Sequence, residues 1–180
     1  MNFLNLLKKK KRYPHRGAYL SAYVRHLVDI KKVNGIDTKI YDEWKQLAYA
    51  IPNLLTNAGK DYYHAQDFTN TSAGGVGENF IGLTESVITP AVTDTTLTGE
   101  IATNGLERAI ATTLTHSAAS NTTTLSKTFT ASGSFTSVLG SALFNAVSSG
   151  TMAHIANFST GSGTLVSGDQ LAVSWTMTLS

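Results

Sequence analysis

The sequence predicts a mainly β protein: a C-terminal antiparallel β-sandwich, jelly-roll-like, preceded by a helical N-terminal segment and a basic extended arm. Three observations predict it. Near the end, Leu171, Val173, Trp175, Met177 and Leu179 alternate with Ala172, Ser174, Thr176 and Thr178. That is the period of a strand with one face on a core. Before it, short apolar runs are separated by small turn-forming stretches, SGS, SSG, TGSG and SGD, at the spacing of strands in a sandwich. Charge is also segregated. Residues 1–60 carry twelve Lys/Arg and four Asp/Glu, whereas residues 61–180 carry two and eight. The two halves therefore face different electrostatic surroundings.

Taken in order, residues 1–16 read as an arm. Lys8, Lys9, Lys10, Lys11, Arg12 and Arg16 fall within nine residues, and a lysine run repels itself and buries nothing. Residues 17–74 read as a helical attachment segment. Leu20, Val24, Leu27 and Val28 fit one helix stripe over Ala18 to Val33, which Asn34-Gly35 would stop. Asp37 or Thr38 would cap a second helix with Ile40, Trp44, Leu47, Ala48 and Ile51 inside. Pro52 would end it, and Asn53 would cap a short turn closing at Gly59.

Residues 75–180 read as the sandwich. The glycine-rich stretch Thr69 to Asn79 forms the border, FIGLTESVI a strand, and TPAVTDTTLTGEI a loop leading to a short helical turn over Leu97 to Ala109, capped by Asp94. Ile110, Thr112, Leu114 and His116 alternate like a strand, as do Leu125, Lys127, Phe129 and Ala131. The last 72 residues hold 28 Ser/Thr with one Lys and one Asp. Such an uncharged strand face suits either solvent or a neighbouring subunit.

No pattern points to catalysis or to a cofactor. The histidines His15, His26, His64, His116 and His154 lack metal-ligand spacing, and without cysteine there is no thiolate site or disulfide. His116-Ser117 has no nucleophile elbow around it, and SAGGVGEN lacks the lysine of a phosphate loop. Asp94, Glu100, Glu107 and Asp169 read as turn and cap residues. No apolar run reaches the ~20 residues of a membrane span, so no membrane partner is expected. All seven tyrosines lie within the first 63 residues, among Lys and Arg. That mixture serves nucleic-acid stacking or a protein interface; the protein interface is the favoured reading.

Four segments together resemble a group of small tailed-bacteriophage virion proteins: a T-D-T-x-L-x-x-E segment at Thr93 to Glu100, Leu143-Phe144-Asn145, a turn at Ser149 to Met152, and G-D-x-L-x-V-x-W-T at Gly168 to Thr176. The resemblance covers about residues 53–180. One departure is Ser149, where a second glycine is common. The resemblance implies a non-enzymatic virion component, made in the host cytoplasm and present in many copies. Its first candidate place is capsid decoration, as a cement protein; a head–tail neck or tail connector is the alternative, and a free carbohydrate-binding module is less favoured. The expected partners are the major capsid protein or neighbouring virion proteins, and other copies of the chain, with a trimer as the guess. Contact with packaged nucleic acid is open but not favoured. The expected contact residues are Lys8, Lys9, Lys10, Lys11, Arg12, Tyr13, Arg16, Tyr19 and Tyr23.

Overall fold

Residues 18–33, expected as a helix, form two strands. The computed structural model describes residues 17–68, 77–116 and 122–178, with the backbone alone for 64–68. Among the described residues are twelve strands and one helix: β1 Gly17–Arg25, β2 Leu27–Val33, β3 Ile36–Tyr41, β4 Lys45–Pro52, β5 Leu54–Leu55, α1 Asn57–Phe68, β6 Phe80–Thr84, β7 Ala109–Ile110, β8 Thr113–His116, β9 Thr122–Thr130, β10 Gly140–Phe144, β11 Met152–Asn157 and β12 Gln170–Thr178. The fold is mainly β and its strand pairs are antiparallel.

Two five-stranded sheets, ordered β4-β1-β12-β9-β8 and β5-β11-β10-β6-β7, enclose one core. Leu20, Val24, Leu125, Phe129 and Trp175 of the first meet Ile81, Leu83, Leu143 and Ala156 of the second. A smaller cluster lies on the other side of the second sheet, where Ile88 and Leu97 of the long β6–β7 connection cover Ala142, Phe144, Met152 and Ile155. The chain stays within one sheet for the pairs β1/β4, β6/β7, β8/β9 and β10/β11, and crosses between sheets in the intervals. This order supports an antiparallel sandwich and stops short of a jelly roll.

The expected helix over Ala18 to Val33 is corrected to two strands. Leu20 and Val24 are four apart, so they satisfy a helix stripe and a strand face equally. Ala18 and Ala22 complete the strand series, and all four side chains are buried. Asn34-Gly35 does not stop a helix. Both residues have positive φ, 51° and 81°, and they form the two-residue turn of the β2–β3 hairpin, whose twist this conformation matches. Replacing Gly35 by alanine meets no steric obstacle but forces a Cβ into that conformation. The expected cost is about 1 kcal/mol, confined to the hairpin. Amide exchange at 27–41 should accelerate, while that of β12 stays unchanged.

The second expected helix is likewise replaced by β3 and β4. Its Leu47, Ala48, Ile51 pattern comes from a bulge. The β1–β4 register shifts between Leu20 and Ala22 and again between Ala22 and Tyr23, Ala50 takes φ 51°, and its N–H donates to Ser21 Oγ at 3.0 Å. The extra residue breaks strict alternation and imitates a helical spacing. The turn expected after Asn53 is the strand β5 followed by α1, which is capped not by Asn53 but by Thr56. Thr56 Oγ1 accepts the Gly59 N–H at 3.0 Å and donates to the Met152 carbonyl at 2.6 Å, which caps the helix and ties it to β11 in one move. The helical turn expected over Leu97 to Ala109 is also absent; Asp94 caps a non-helical turn by accepting the Ala91 N–H at 2.8 Å. Strands from both sides of the expected 74–75 border share both sheets.

Candidate functional site

β1 is an inner strand of the first sheet, between the edge strand β4 and the central strand β12. The expected contact residues Lys8, Lys9, Lys10, Lys11, Arg12, Tyr13 and Arg16 lie outside the described residues. Their point of attachment is described: Gly17 pairs with Thr178 at one end of the sheet. Of the two remaining, Tyr19 is half-buried and Tyr23 is 1% exposed. Burial, then the neighbouring Tyr49, pushes the Tyr23 hydroxyl up to about 12. Within the folded chain Tyr23 is a packing residue.

The face that Tyr19 shares is rich in hydroxyls. Thr124 and Thr176 approach at 3.3 Å, and Thr122 and Thr178 at 3.4 Å. Its centre is closed, since Ala172 and Ser174 are buried, while Thr128 and Thr130 reach solvent.

At the other end of β1 the chain leaves the sandwich as the β2–β3 ribbon, whose strands, among the described residues, pair only with each other. Val28 is 65% exposed and Ile36 70%; Ile30 and Val33 are exposed as well. Its base is bolted down. Asp169 accepts the Leu27 N–H at 2.8 Å and the Val166 N–H at 2.9 Å, and its Oδ2 lies 2.8 Å from His26 Nδ1. Burial raises the Asp169 carboxyl, but the bonds from Val166, His26 and Leu27 outweigh it, and the group lies below its ordinary value. Asp42 accepts the His26 N–H at 2.6 Å. Arg25 donates through Nε and Nη2 to Gln170 Oε1 at 2.9 and 2.6 Å, and its guanidinium stacks on the rings of Tyr41 and Trp44, 4.1 and 4.6 Å from their centroids.

The other motif segments converge on Arg108. Its Nε and Nη2 donate to the two oxygens of Glu100, both at 2.6 Å. Its Nη1 donates to the carbonyls of Ala146 and Ser149 at 3.1 and 2.7 Å, and the guanidinium lies 3.3 Å from the Phe144 ring centroid. Asn145 Oδ1 accepts the Thr151 N–H at 2.7 Å. Ser149 takes φ 55°, a left-handed conformation that favours glycine.

Comparison with family models, with curated proteins and with solved structures found no match.

One group of side chains escaped the sequence reading. His154 on β11 faces the core, 6.2 Å from the Trp175 ring. Its Nδ1 lies 2.9 Å from Asn53 Nδ2 and its Nε2 2.9 Å from the Tyr63 hydroxyl on α1. Burial lowers His154 to about 4. Glu78, just before β6, is 7% exposed. Burial pushes it up to about 7 against the opposing effect of Tyr63. Tyr63 itself is raised strongly, by burial first and then by Glu78. Tyr63 and Glu78 are close enough to couple, yet neither carboxylate oxygen meets a donor at hydrogen-bond geometry. No spacing signal marks these residues, because Asn53, Tyr63, Glu78 and His154 meet only through the fold. Among the described residues, no helix is long and apolar enough to cross a membrane.

Proposed function

We propose that this chain is a non-enzymatic structural component of a tailed-bacteriophage virion: a decoration or cement protein that binds the outer capsid through its basic N-terminal arm. The observation that carries the reading is what its motifs are used for. Glu100 is held by Arg108, Phe144 lies under the same guanidinium, Asn145 closes the turn to Thr151, and Asp169 fastens the ribbon. Each segment shared with that virion group makes a bond that maintains shape. A protein selected for shape and presented in many copies suits a shell.

The arm supplies the attachment. Its six Lys/Arg gain from long-range attraction to an acidic lattice, although each alone adds little in salt. Repetition around a homo-oligomer, for which a trimer is the working choice, makes the sum hold by avidity. The arm's root at Gly17 and the ribbon's root at Arg25 stand at opposite ends of one nine-residue strand, about 27 Å apart. Two attachment elements at opposite ends favour a second reading as well, a neck or tail connector joining neighbours on two sides.

Deleting residues 1–16 tests the attachment. The truncated protein is expected to fold with an unchanged melting temperature and to disappear from purified particles. Incorporation at full occupancy would end the docking reading. Immunogold labelling of intact particles separates the two positions, spread over the head for decoration and confined to one vertex or the tail for a connector. DNA as the arm's partner would show instead as in vitro binding that falls log-linearly with salt, by about 0.9 per phosphate contacted.

A further inference from the structure

We propose that Glu78 and His154 trade a single proton on folding: it rests on Glu78 in the folded chain, with His154 neutral, and on His154 in the unfolded chain at mildly acidic pH. The geometry supports the folded half of this statement. Asn53 Nδ2 is a donor, so the His154 Nδ1 it meets at 2.9 Å carries a lone pair. His154 Nε2 then carries the hydrogen and donates it to the Tyr63 oxygen at 2.9 Å. A doubly protonated ring would set N–H against N–H at Asn53. Glu78 presents two buried oxygens without a donor. Ionised there, it would be a desolvated charge that the neighbouring Tyr63 offsets only in part, at a cost of several kcal/mol. Protonated, it is only a buried polar group next to Tyr63.

Among the described residues, the following groups face this chain. Tyr62 and Tyr63 come from α1, His154 from β11 and the Trp175 ring from β12. Lys60 and Asp61 of α1 are exposed to solvent. The consequence is compensation. His154 lies at about 4 in the folded chain against its ordinary ~6.5. The unfolded state therefore binds more protons between these values, and stability rises with pH there. Glu78 lies at about 7 against its ordinary ~4.3. The folded state binds more protons between those values, and stability falls with pH there. Over the shared window the two slopes have opposite sign and cancel, so α1 stays fastened to the sandwich at a stability that hardly depends on pH. Neither group alone can do this.

Urea unfolding of the full chain at pH 5.0 and 6.5 tests the pairing. The natural sequence should show a folding constant that changes by less than about 2-fold from this pair. Glu78→Gln should unmask the histidine, with a constant that rises about 15-fold relative to the natural chain over the same interval. His154→Gln should unmask the carboxyl, with a fall of about 15-fold. The other histidines are common to all three proteins and drop out of the comparison. Independent of any variant, side-chain nitrogen NMR of the natural chain at pH 6 should show His154 neutral, with Nδ1 bare and Nε2 protonated. A doubly protonated His154 at pH 6, or a Glu78→Gln profile parallel to that of the natural chain, would overturn the proposal.

Discussion

Trp175→Ala is expected to cost about 3–5 kcal/mol, much of the stability of a domain of this size. Trp175 is fully buried at the centre of β12, flanked by Leu20 on β1 and Leu125 on β9. Its Nε1 donates to Ser141 Oγ at 3.2 Å across the core, and Ser141 in turn donates to the Gly82 carbonyl at 2.9 Å. The indole thus joins the two sheets by bulk and by one hydrogen bond. Trp175→Phe separates the two contributions. It keeps most of the bulk and loses only the bond to Ser141, whose own link to Gly82 survives, so the cost should drop to about 1–2 kcal/mol. Chemical denaturation of the three proteins measures both steps. Equal losses for Ala and Phe would mean that the hydrogen bond, not the packing, holds the sheets together.

The strand bearing Trp175 was readable in advance because its alternation has no competing period. Five apolar residues at every second position fit no helix face, and β12, Gln170–Thr178, covers the first four of them, Leu179 lying outside the described residues. β1 and β4 were not readable in the same way. Leu20 and Val24 fit both periods, and the bulge at Ala50 gave β4 a helical spacing that no local propensity contradicts. Asn34-Gly35 held the discriminating signal, because this pair is a stronger mark of a hairpin than of a helix end. Once β1 and β4 belong to the first sheet, Tyr19 and Tyr23 no longer sit on a separate helical device. They line the outer face of the sandwich itself, and Tyr23 is closed off.

The candidate site was legible in one respect. Asp94, Glu100 and Asp169 read as turn and cap residues, and the structure gives each a bond to backbone or to Arg108. Their partners were not legible, because Glu100 and the Ala146–Ser149 turn lie far from each other in sequence and Arg108 joins them only after β6 and β10 have paired. The Asn53–His154–Tyr63–Glu78 chain was hidden for the same reason. A lone buried histidine or glutamate carries no sequence signature of its burial, and its protonation state follows from neighbours that the fold supplies.

Arg108→Ala is expected to be the second most damaging change, at about 3–4 kcal/mol. Arg108 and Glu100 are mostly shielded, with side chains 10% and 24% exposed, so removing the guanidinium leaves a carboxylate that water reaches poorly. The Ala146 and Ser149 carbonyls lose their donor at the same time, and the Phe144 ring loses its cover. Arg108→Lys should recover little, since one ammonium cannot reproduce the fork that meets both Glu100 oxygens and two carbonyls. Glu100→Gln in the Arg108→Ala background should return about 1–2 kcal/mol by discharging the stranded carboxylate. That rescue distinguishes a charge left without a partner from a simple loss of packing, which it would not relieve. Gly82 sets the geometry of the site from below: a Cβ there would stand 2.9 Å from both Glu100 Oε1 and Phe144 Cε2. Gly82→Ala should therefore press on the same pair and lose its effect once Arg108 is gone. The coupling between the two sites, read from a double-mutant cycle by urea denaturation, measures how far the motif residues act as one unit. Additive losses would mean that they do not.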